Sequence, residues 1–301
     1  MRVVVALGGN ALLERGEPPD SDIQESHVAG AASALRPLLL RHELVVTHGN
    51  GPQVGVLAVE SAGDPGLSRP YPFDVLGAQT QGMIGYWLVQ ALQAAWPGQP
   101  AACLICRTLV DADDPAFDWP TKFVGPVYDQ ATANRLTSEH GWEMRPDGRA
   151  WRRVVPSPEP AELVELDMIK LLIGQGVTVV CAGGGGIPVV AESPGRLRGV
   201  EAVVDKDLTA ALLAQAVGAD ALLLLTDVAA VMDGYGTPRA RPIRRTTAGE
   251  LRARPFPAGS MGPKVEAVCR FVEKTGGMAA IGRLQDAAAL LAGTAGTIVC
   301  A

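Results

Sequence analysis

Short runs of β-branched and aliphatic residues alternate along this 301-residue chain with longer stretches in which apolar residues recur every three or four positions. The short runs predict strands and the longer stretches amphipathic helices. Strands are predicted at 3–7, 44–47, 101–109, 177–181 and 221–225, with 279–281 and 297–299 as the last candidates. Helices are predicted at 29–40, 53–61, 75–95, 162–174, 208–217 and 263–275. The last of these opens on Pro263 and stops at Gly276-Gly277, the expected punctuation of a helix start and stop. This alternation implies an α/β protein, with a mainly parallel central sheet covered by helices on both faces. In such sheets ligands bind beyond the carboxyl ends of the strands.

One segment breaks the pattern. Residues 111–160 are rich in Pro, Trp, Asp and Arg and lack long apolar runs. They read as a small subdomain protruding from the main fold, with a hairpin around Pro146-Asp147-Gly148-Arg149 beside which Trp142 and Trp151 pack together. The stretch Ser193-Pro194-Gly195-Arg196 reads as the boundary between an N-terminal lobe, 1–195, and a C-terminal lobe, 196–301.

Composition narrows the partners. The chain is 48% hydrophobic and 19% charged with a net charge of −6, which fits a folded domain and argues against disorder. No long basic run interrupts the acidity, so nucleic acid is not expected as a partner. No apolar run approaches the length of a membrane span. The apolar N-terminus is too short for a signal peptide and runs straight into Gly8-Gly9, so a cytoplasmic location is expected. Of the five cysteines, Cys103 and Cys106 form a lone C-x-x-C inside a predicted strand, where they read as core residues rather than zinc ligands.

The candidate chemistry lies in glycines and lysines. Gly8-Gly9-Asn10, Gly49-Asn50-Gly51 and Gly183 to Gly186 each follow a predicted strand. Glycine lets backbone N–H groups face an anion, and a following helix adds its positive end. Neither G-x-G-x-x-G nor G-x-x-x-x-G-K-[ST] is present. The chain carries only five lysines beside 21 arginines. Lys206 lies in Val204-Asp205-Lys206-Asp207, where flanking carboxylates are expected to hold it protonated. The same Asp205 also suits a helix cap. Lys264 falls in the first turn of a helix, against the dipole, which points to a bound anion that offsets the repulsion. Lys122 precedes Phe123-Val124-Gly125-Pro126. Lys170 and Lys274 fall on amphipathic helical stretches and read as surface groups.

With these residues identified, the chain resembles the carbamate kinases of the amino-acid kinase superfamily over nearly its whole length. The resemblance rests on Ala6-Leu7-Gly8-Gly9-Asn10-Ala11, Thr47-His48-Gly49-Asn50-Gly51-Pro52-Gln53-Val54-Gly55 and Gln81-Gly82-Met83-Ile84-Gly85-Tyr86. It continues through Gly183-Gly184-Gly185-Gly186-Ile187-Pro188-Val189, Val200-Glu201-Ala202-Val203-Val204-Asp205-Lys206-Asp207 and Gly259-Ser260-Met261-Gly262-Pro263-Lys264-Val265-Glu266-Ala267. The block Trp151-Arg152-Arg153-Val154-Val155-Pro156-Ser157-Pro158 sets this family apart from its relatives. Two places differ. Met232-Asp233-Gly234-Tyr235-Gly236 stands where the family carries Tyr and Asn beside the adenine, and Gln79-Thr80 stands where it tends to have Met-Ser.

The resemblance implies an open three-layer α/β/α sandwich with a protruding subdomain, a homodimer and Mg-ATP as cosubstrate. The implied reaction is reversible transfer of a phosphoryl group between ATP and carbamate, giving ADP and carbamoyl phosphate, used to make ATP. The implied acceptor site is Gly8, Gly9, Asn10, Gly49, Asn50 and Gly51, through their N–H groups. Lys206 and Lys264 are expected on the transferring phosphate, Asp207 orienting them, and Lys122 reaching over from the lid. Thr226, Asp227, Val228, Tyr235, Met261 and Gly262 are expected at the nucleotide, and Mg2+ is expected on phosphate oxygens and water. Two other readings stand beside this one. One is another small-acceptor kinase of the superfamily, and the other is a non-catalytic nucleotide-binding sensor, against which the retained Lys206, Asp207 and Lys264 argue.

Overall fold

The computed structural model describes residues 1–14, 16–256 and 261–301 and, of Asn10, the backbone alone. The chain begins with β1 (Arg2–Leu7), α1 (Ser21–Leu39), β2 (Glu43–His48), α2 (Gly51–Gly63), α3 (Phe73–Ala95), β3 (Ala101–Cys103) and β4 (Arg107–Leu109). There follow β5 (Lys122–Tyr128), α4 (Gln130–His140), β6 (Met144–Asp147) and β7 (Ala150–Val155). Next come β8 (Glu162–Leu163), α5 (Leu166–Gly174), β9 (Thr178–Val180), β10 (Ile187–Ser193) and β11 (Arg196–Gly199). After these lie α6 (Lys206–Ala216), β12 (Ala221–Thr226), β13 (Met232–Asp233), β14 (Arg241–Pro242) and β15 (Arg245–Thr247). The chain ends with α7 (Ala248–Arg252), α8 (Met261–Thr275), β16 (Met278–Arg283), α9 (Ala287–Leu291) and β17 (Thr297–Cys300).

The main sheet has eight strands in the order β15-β17-β16-β12-β1-β2-β9-β3. Its pairings are parallel except β16 with β17. The alternation of side chains along β1 shows why its sequence is apolar throughout. Val3, Val5 and Leu7 enter a core with residues of α1, α3 and α9. Val4 and Ala6 enter the opposite core with residues of α5, α6 and α8. Both faces are dry, and the result is the three-layer sandwich. A second sheet, β11-β10-β4-β8, extends the fold beside it, and residues 193–196, the expected lobe boundary, turn β10 into its antiparallel partner β11.

The excursion at 111–160 holds the antiparallel sheet β5-β7-β6 with α4 laid across it. The 146–149 hairpin joins β6 and β7. Trp142 sits with His140 and beneath the Arg153 guanidinium, whereas Trp151 lies in β7 opposite Tyr128 and Pro146. The subdomain docks on the body through Val124 and Val155, which pack with Val54, Ala58, Phe73 and Leu76. The closest approach is backbone to backbone. A Cβ on Gly55 of α2 would lie 2.9 Å from the Gly125 Cα of β5, so only glycine fits there.

Two expectations need correction. Residues 101–109 are not one strand but β3 and β4, in different sheets. Where the chain passes between the sheets at Cys106, the Gln81 amide bonds its backbone on both sides, beside the Ile187 N–H that Cys106 O also accepts. Cys106 N donates to Gln81 Oε1 at 2.8 Å and Gln81 Nε2 donates to Cys106 O at 3.0 Å. The helix expected at 162–174 starts only at Leu166, because Glu162 and Leu163 pair with β4 as β8.

Candidate active site

The site forms where β1, β2 and β12, neighbours in the sheet, end on the same side. Gly8 and Gly9 follow β1, Gly49 to Gly51 follow β2, and Thr226 to Val228 close β12. All line one cleft of about 600 Å³. Three helices begin at its wall, α2 at Gly51, α6 at Lys206 and α8 at Met261. Their N-termini add positive potential where anions are expected.

The cleft floor carries a network of charges. Lys206 Nζ lies 2.6 Å from Asp207 Oδ1, and Lys264 Nζ lies 2.8 Å from Asp207 Oδ2. One buried carboxylate thus aims two ammonium groups. Burial alone would raise the Asp207 pKa, but the two lysines outweigh it and hold the carboxyl well below the usual range. The lysines respond in opposite directions. Burial, with the neighbouring Lys264 charge adding to it, lowers Lys206 despite Asp207. Burial also opposes the charge of Lys264, but there Asp207 prevails and the pKa rises.

This geometry corrects one reading of the sequence and leaves room for an anion in another. Lys206 is not clasped by both flanking aspartates. Asp205 caps α6, accepting from the N–H groups of Asp207 at 2.9 Å and Leu208 at 3.4 Å, while its second oxygen takes Lys122 Nζ of the lid at 2.7 Å. Lys264, in the first turn of α8, shares the single carboxylate of Asp207 with Lys206, so two ammonium groups meet one negative charge and the pair keeps a net positive charge toward the cleft.

The loops also divide their work differently from expectation. Gly8 N–H donates to Leu225 O at 2.8 Å and Gly49 N–H to Leu7 O at 2.9 Å, so both extend the sheet. Among the described residues, the loop donors left for a ligand are those of Gly9, Asn10, Asn50 and Gly51. The glycines of 183–186 serve mainly as a buttress. A Cβ on Gly183 would lie 2.3 Å from the His48 ring, and one on Gly184, at φ +65°, would lie 2.3 Å from the Asn50 amide. That amide donates to Thr80 Oγ1 at 2.9 Å, tying the β2 loop to α3. Thr80 thereby supplies the hydroxyl that Ser would offer at this position.

His48, packed under this buttress, is 1% exposed. Burial lowers its pKa to about 4, opposed by a hydrogen bond to Gly49 O and helped by the Lys206 charge. The unfolded chain, with a pKa near ~6.5, binds the proton more readily. Stability from this group is therefore complete above about pH 6.5 and falls as pH drops toward 4, by about 2 kcal/mol at pH 5. NMR of the folded protein at pH 5.5 should show a neutral His48 ring, and a protonated ring there would contradict this reading.

On the nucleotide side, Thr226, Asp227, Val228, Tyr235 and Met261 all line the cleft. Gly262, in the first turn of α8, is not among the lining residues, and Gly259 and Ser260 of the motif lie outside the described residues. Asp205, Arg152, Met232 and Phe256 line the cleft without having been chosen as site residues from the sequence. Arg152 Nε donates to Gly125 O at 2.8 Å. The signal for Arg152 was the Trp151 block itself. For Phe256 there was none, since an isolated aromatic between prolines reads as a loop anchor.

The sequence model of the Amino acid kinase family matches residues 1–281. A carbamate kinase of Rhizobium meliloti is 52% identical over 99% of this chain and 93% of its own length. A carbamate kinase of Escherichia coli is 46% identical over 99% and 98%. The solved structure of carbamate kinase from Giardia lamblia bound to AMP-PNP superimposes with a TM-score of 0.91 at 41% identity, covering 99% of this chain and 98% of that one. The glycine loops, the doubly bridged Asp207 and the length of these matches together show that the chain belongs to the amino acid kinase family and, within it, to the carbamate kinases.

Proposed function

We propose that this cleft transfers a phosphoryl group reversibly between ATP and carbamate, giving ADP and carbamoyl phosphate. The observation that carries the reading is the Lys206–Asp207–Lys264 bridge, set between the acceptor-side glycine loops and the β12 loop. Phosphoryl transfer asks chiefly for alignment and for charge stabilisation of the equatorial oxygens. The N–H groups of Gly9, Asn10, Asn50 and Gly51 and the N-terminus of α2 hold carbamate and the near side of the moving group. Lys206 and Lys264 neutralise its oxygens, and Asp207 keeps both lysines in place. Lys122 closes over the acceptor from the lid. Thr226, Asp227, Val228 and Met261 receive the nucleotide.

Magnesium, arriving with the nucleotide, would supply charge neutralisation at its phosphates. Asp205 and Asp207 are both engaged with lysines, and no group of three or more His, Cys, Asp or Glu suited to a metal occurs among the described residues. That donor set fits an ion held mainly by phosphate oxygens and water.

A panel of acceptors tests the reading. ADP release from ATP is measured with bicarbonate plus ammonia, acetate, glutamate and phosphorylated acceptors. Carbamate should be turned over fastest. Faster turnover of another acceptor would identify a different small-acceptor kinase, and nucleotide binding without any turnover would identify a sensor.

Adenine recognition gives a further expected result. Met232 replaces an aromatic platform, but Tyr235, 75% exposed, and Phe256 both face the cleft. Tyr235→Ala should raise the KM for ADP severalfold, the scale of roughly 0.5–1.5 kcal/mol of ring contact, with carbamoyl phosphate KM little changed. If Tyr235→Ala is silent and Met232→Tyr tightens ADP, the adenine platform is not Tyr235.

Assembly as a homodimer is part of the same proposal. Exposed apolar side chains occur on α3 (Val75, Tyr86), after β3 (Ile105) and on α5 (Met168, Leu171), and are available to a partner subunit. Among the described residues no helix is long and apolar enough to cross a membrane. Use of ATP and ADP fits a cytoplasmic enzyme.

A further inference from the structure

We infer that Asp205 is a positioning residue that fixes the lid lysine relative to the catalytic floor. Its carboxylate joins two parts of the molecule that are 83 residues apart in sequence. Oδ1 is committed to the α6 N-terminus, the same turn that carries Lys206 and Asp207. Oδ2 meets Lys122 Nζ at 2.7 Å, and Lys122 is the first residue of β5, where the chain enters the lid sheet.

The burial of the carboxylate gives this contact its weight. The Asp205 side chain is 12% exposed and that of Lys122 37% exposed. Without Lys122, the second oxygen of this carboxylate would face a site built for anions, while the first stays bonded to the α6 N-terminus. Pairing removes the repulsion and, because Asp205 is already pinned by the cap, holds the lysine at a defined height above the floor. The lid is also anchored by Gly125 against Gly55, by Arg153 on Glu201 and by Val124 and Val155 in the small core, but these hold its backbone, and the contact that fixes the Lys122 ammonium itself is the one to Asp205.

This inference rests on the reading of Lys122 as the lysine that closes over the acceptor. A double-mutant cycle on the full-length protein separates the two. Asparagine caps helices as well as aspartate does, so Asp205→Asn keeps the cap and loses the ion pair. In ATP formation from ADP and carbamoyl phosphate, Asp205→Asn and Lys122→Met should each lower kcat about tenfold, and the double variant should also lose about tenfold rather than a hundredfold. The carbamoyl phosphate KM should rise in Lys122→Met, where a cation is lost, and should not rise in Asp205→Asn, where an anion is lost. The KM for ADP should stay within about twofold in both, since neither residue is assigned to the nucleotide.

Asp205→Ala, which loses cap and pair together, supplies the stability control and should melt lower than Asp205→Asn. Wild-type kcat in Asp205→Asn beside a defective Lys122→Met would overturn the positioning role. So would losses that multiply, or an Asp205→Asn defect that merely follows a drop in Tm equal to that of Asp205→Ala. A silent Lys122→Met would remove the Lys122 reading and this inference with it, while leaving the wild-type activity intact.

Discussion

Replacing Lys264 by alanine is expected to lower kcat by on the order of 10²–10³-fold, the scale for removing one preorganised charge from a developing transition state. The expectation rests on how the lysine is held. Lys264 comes from the first turn of α8, where a positive charge is disfavoured by the helix dipole, and it is secured by Asp207 at 2.8 Å. Its side chain is 17% exposed at the cleft wall, and Asp207 carries Lys206 on its other oxygen. The substitution therefore removes one of two aimed cations and leaves the aiming carboxylate with the other. The loss should fall mainly on kcat, because the charge it stabilises grows during transfer. Lys264→Arg tests geometry separately, since it keeps the charge but spreads it over a planar fork. A folded Lys264→Ala protein with near-normal turnover would contradict the assignment.

Removing the lid is expected to leave the main sheet folded and to cut kcat/KM for carbamoyl phosphate by on the order of 10²-fold or more, the cost of losing alignment at the reacting centre. The cut is structurally clean. Lys122 and Val155 are cross-strand partners at the base of the lid sheet, so a short linker from residue 121 to residue 156 can close the gap. Neither of the two large cores contains a residue from 122–155. The apolar cost to folding falls on the small cluster of Val54, Ala58, Phe73 and Leu76, which would lose Val124 and Val155, and the body also loses the ion pairs of Glu201 with Arg153 and of Asp205 with Lys122. Circular dichroism and the melting profile report the body, and steady-state kinetics report the site. Unchanged kinetics in the trimmed protein would mean that the subdomain serves assembly alone.

The parts of this architecture that could be read from the sequence are those set by local pattern. Buried parallel strands show as continuous apolar runs, so β1, β2, β9 and β12 were legible, and with them the end of the sheet where ligands bind. The scarcity of lysine pointed to Lys122, Lys206 and Lys264, and all three line the cleft. What escaped depends on contacts between distant residues. The division of Asp205 between a cap and Lys122 and the exit of the chain from the sheet at Cys106 beside the Gln81 amide leave no periodic trace. The helix α4 is a different kind of miss. Its signals were present in Asp129, which caps it at Thr132 N, and in Gly141, which ends it at φ 68°, but its face is too polar to show an apolar stripe. The glycines at 183–186 misled in the opposite direction. Close packing of His48, Asn50, Val204 and Thr108 demands them as much as an anion would.

The account stands most directly on ATP formation from ADP and carbamoyl phosphate by the purified protein, followed through a coupled reporter and corrected for the spontaneous breakdown of carbamoyl phosphate. The predicted result is saturable ATP production with one ATP per carbamoyl phosphate consumed, abolished or nearly so in Asp207→Ala, which frees both lysines from their shared carboxylate. No ATP above the uncatalysed background, from a folded protein that binds ADP, would contradict it.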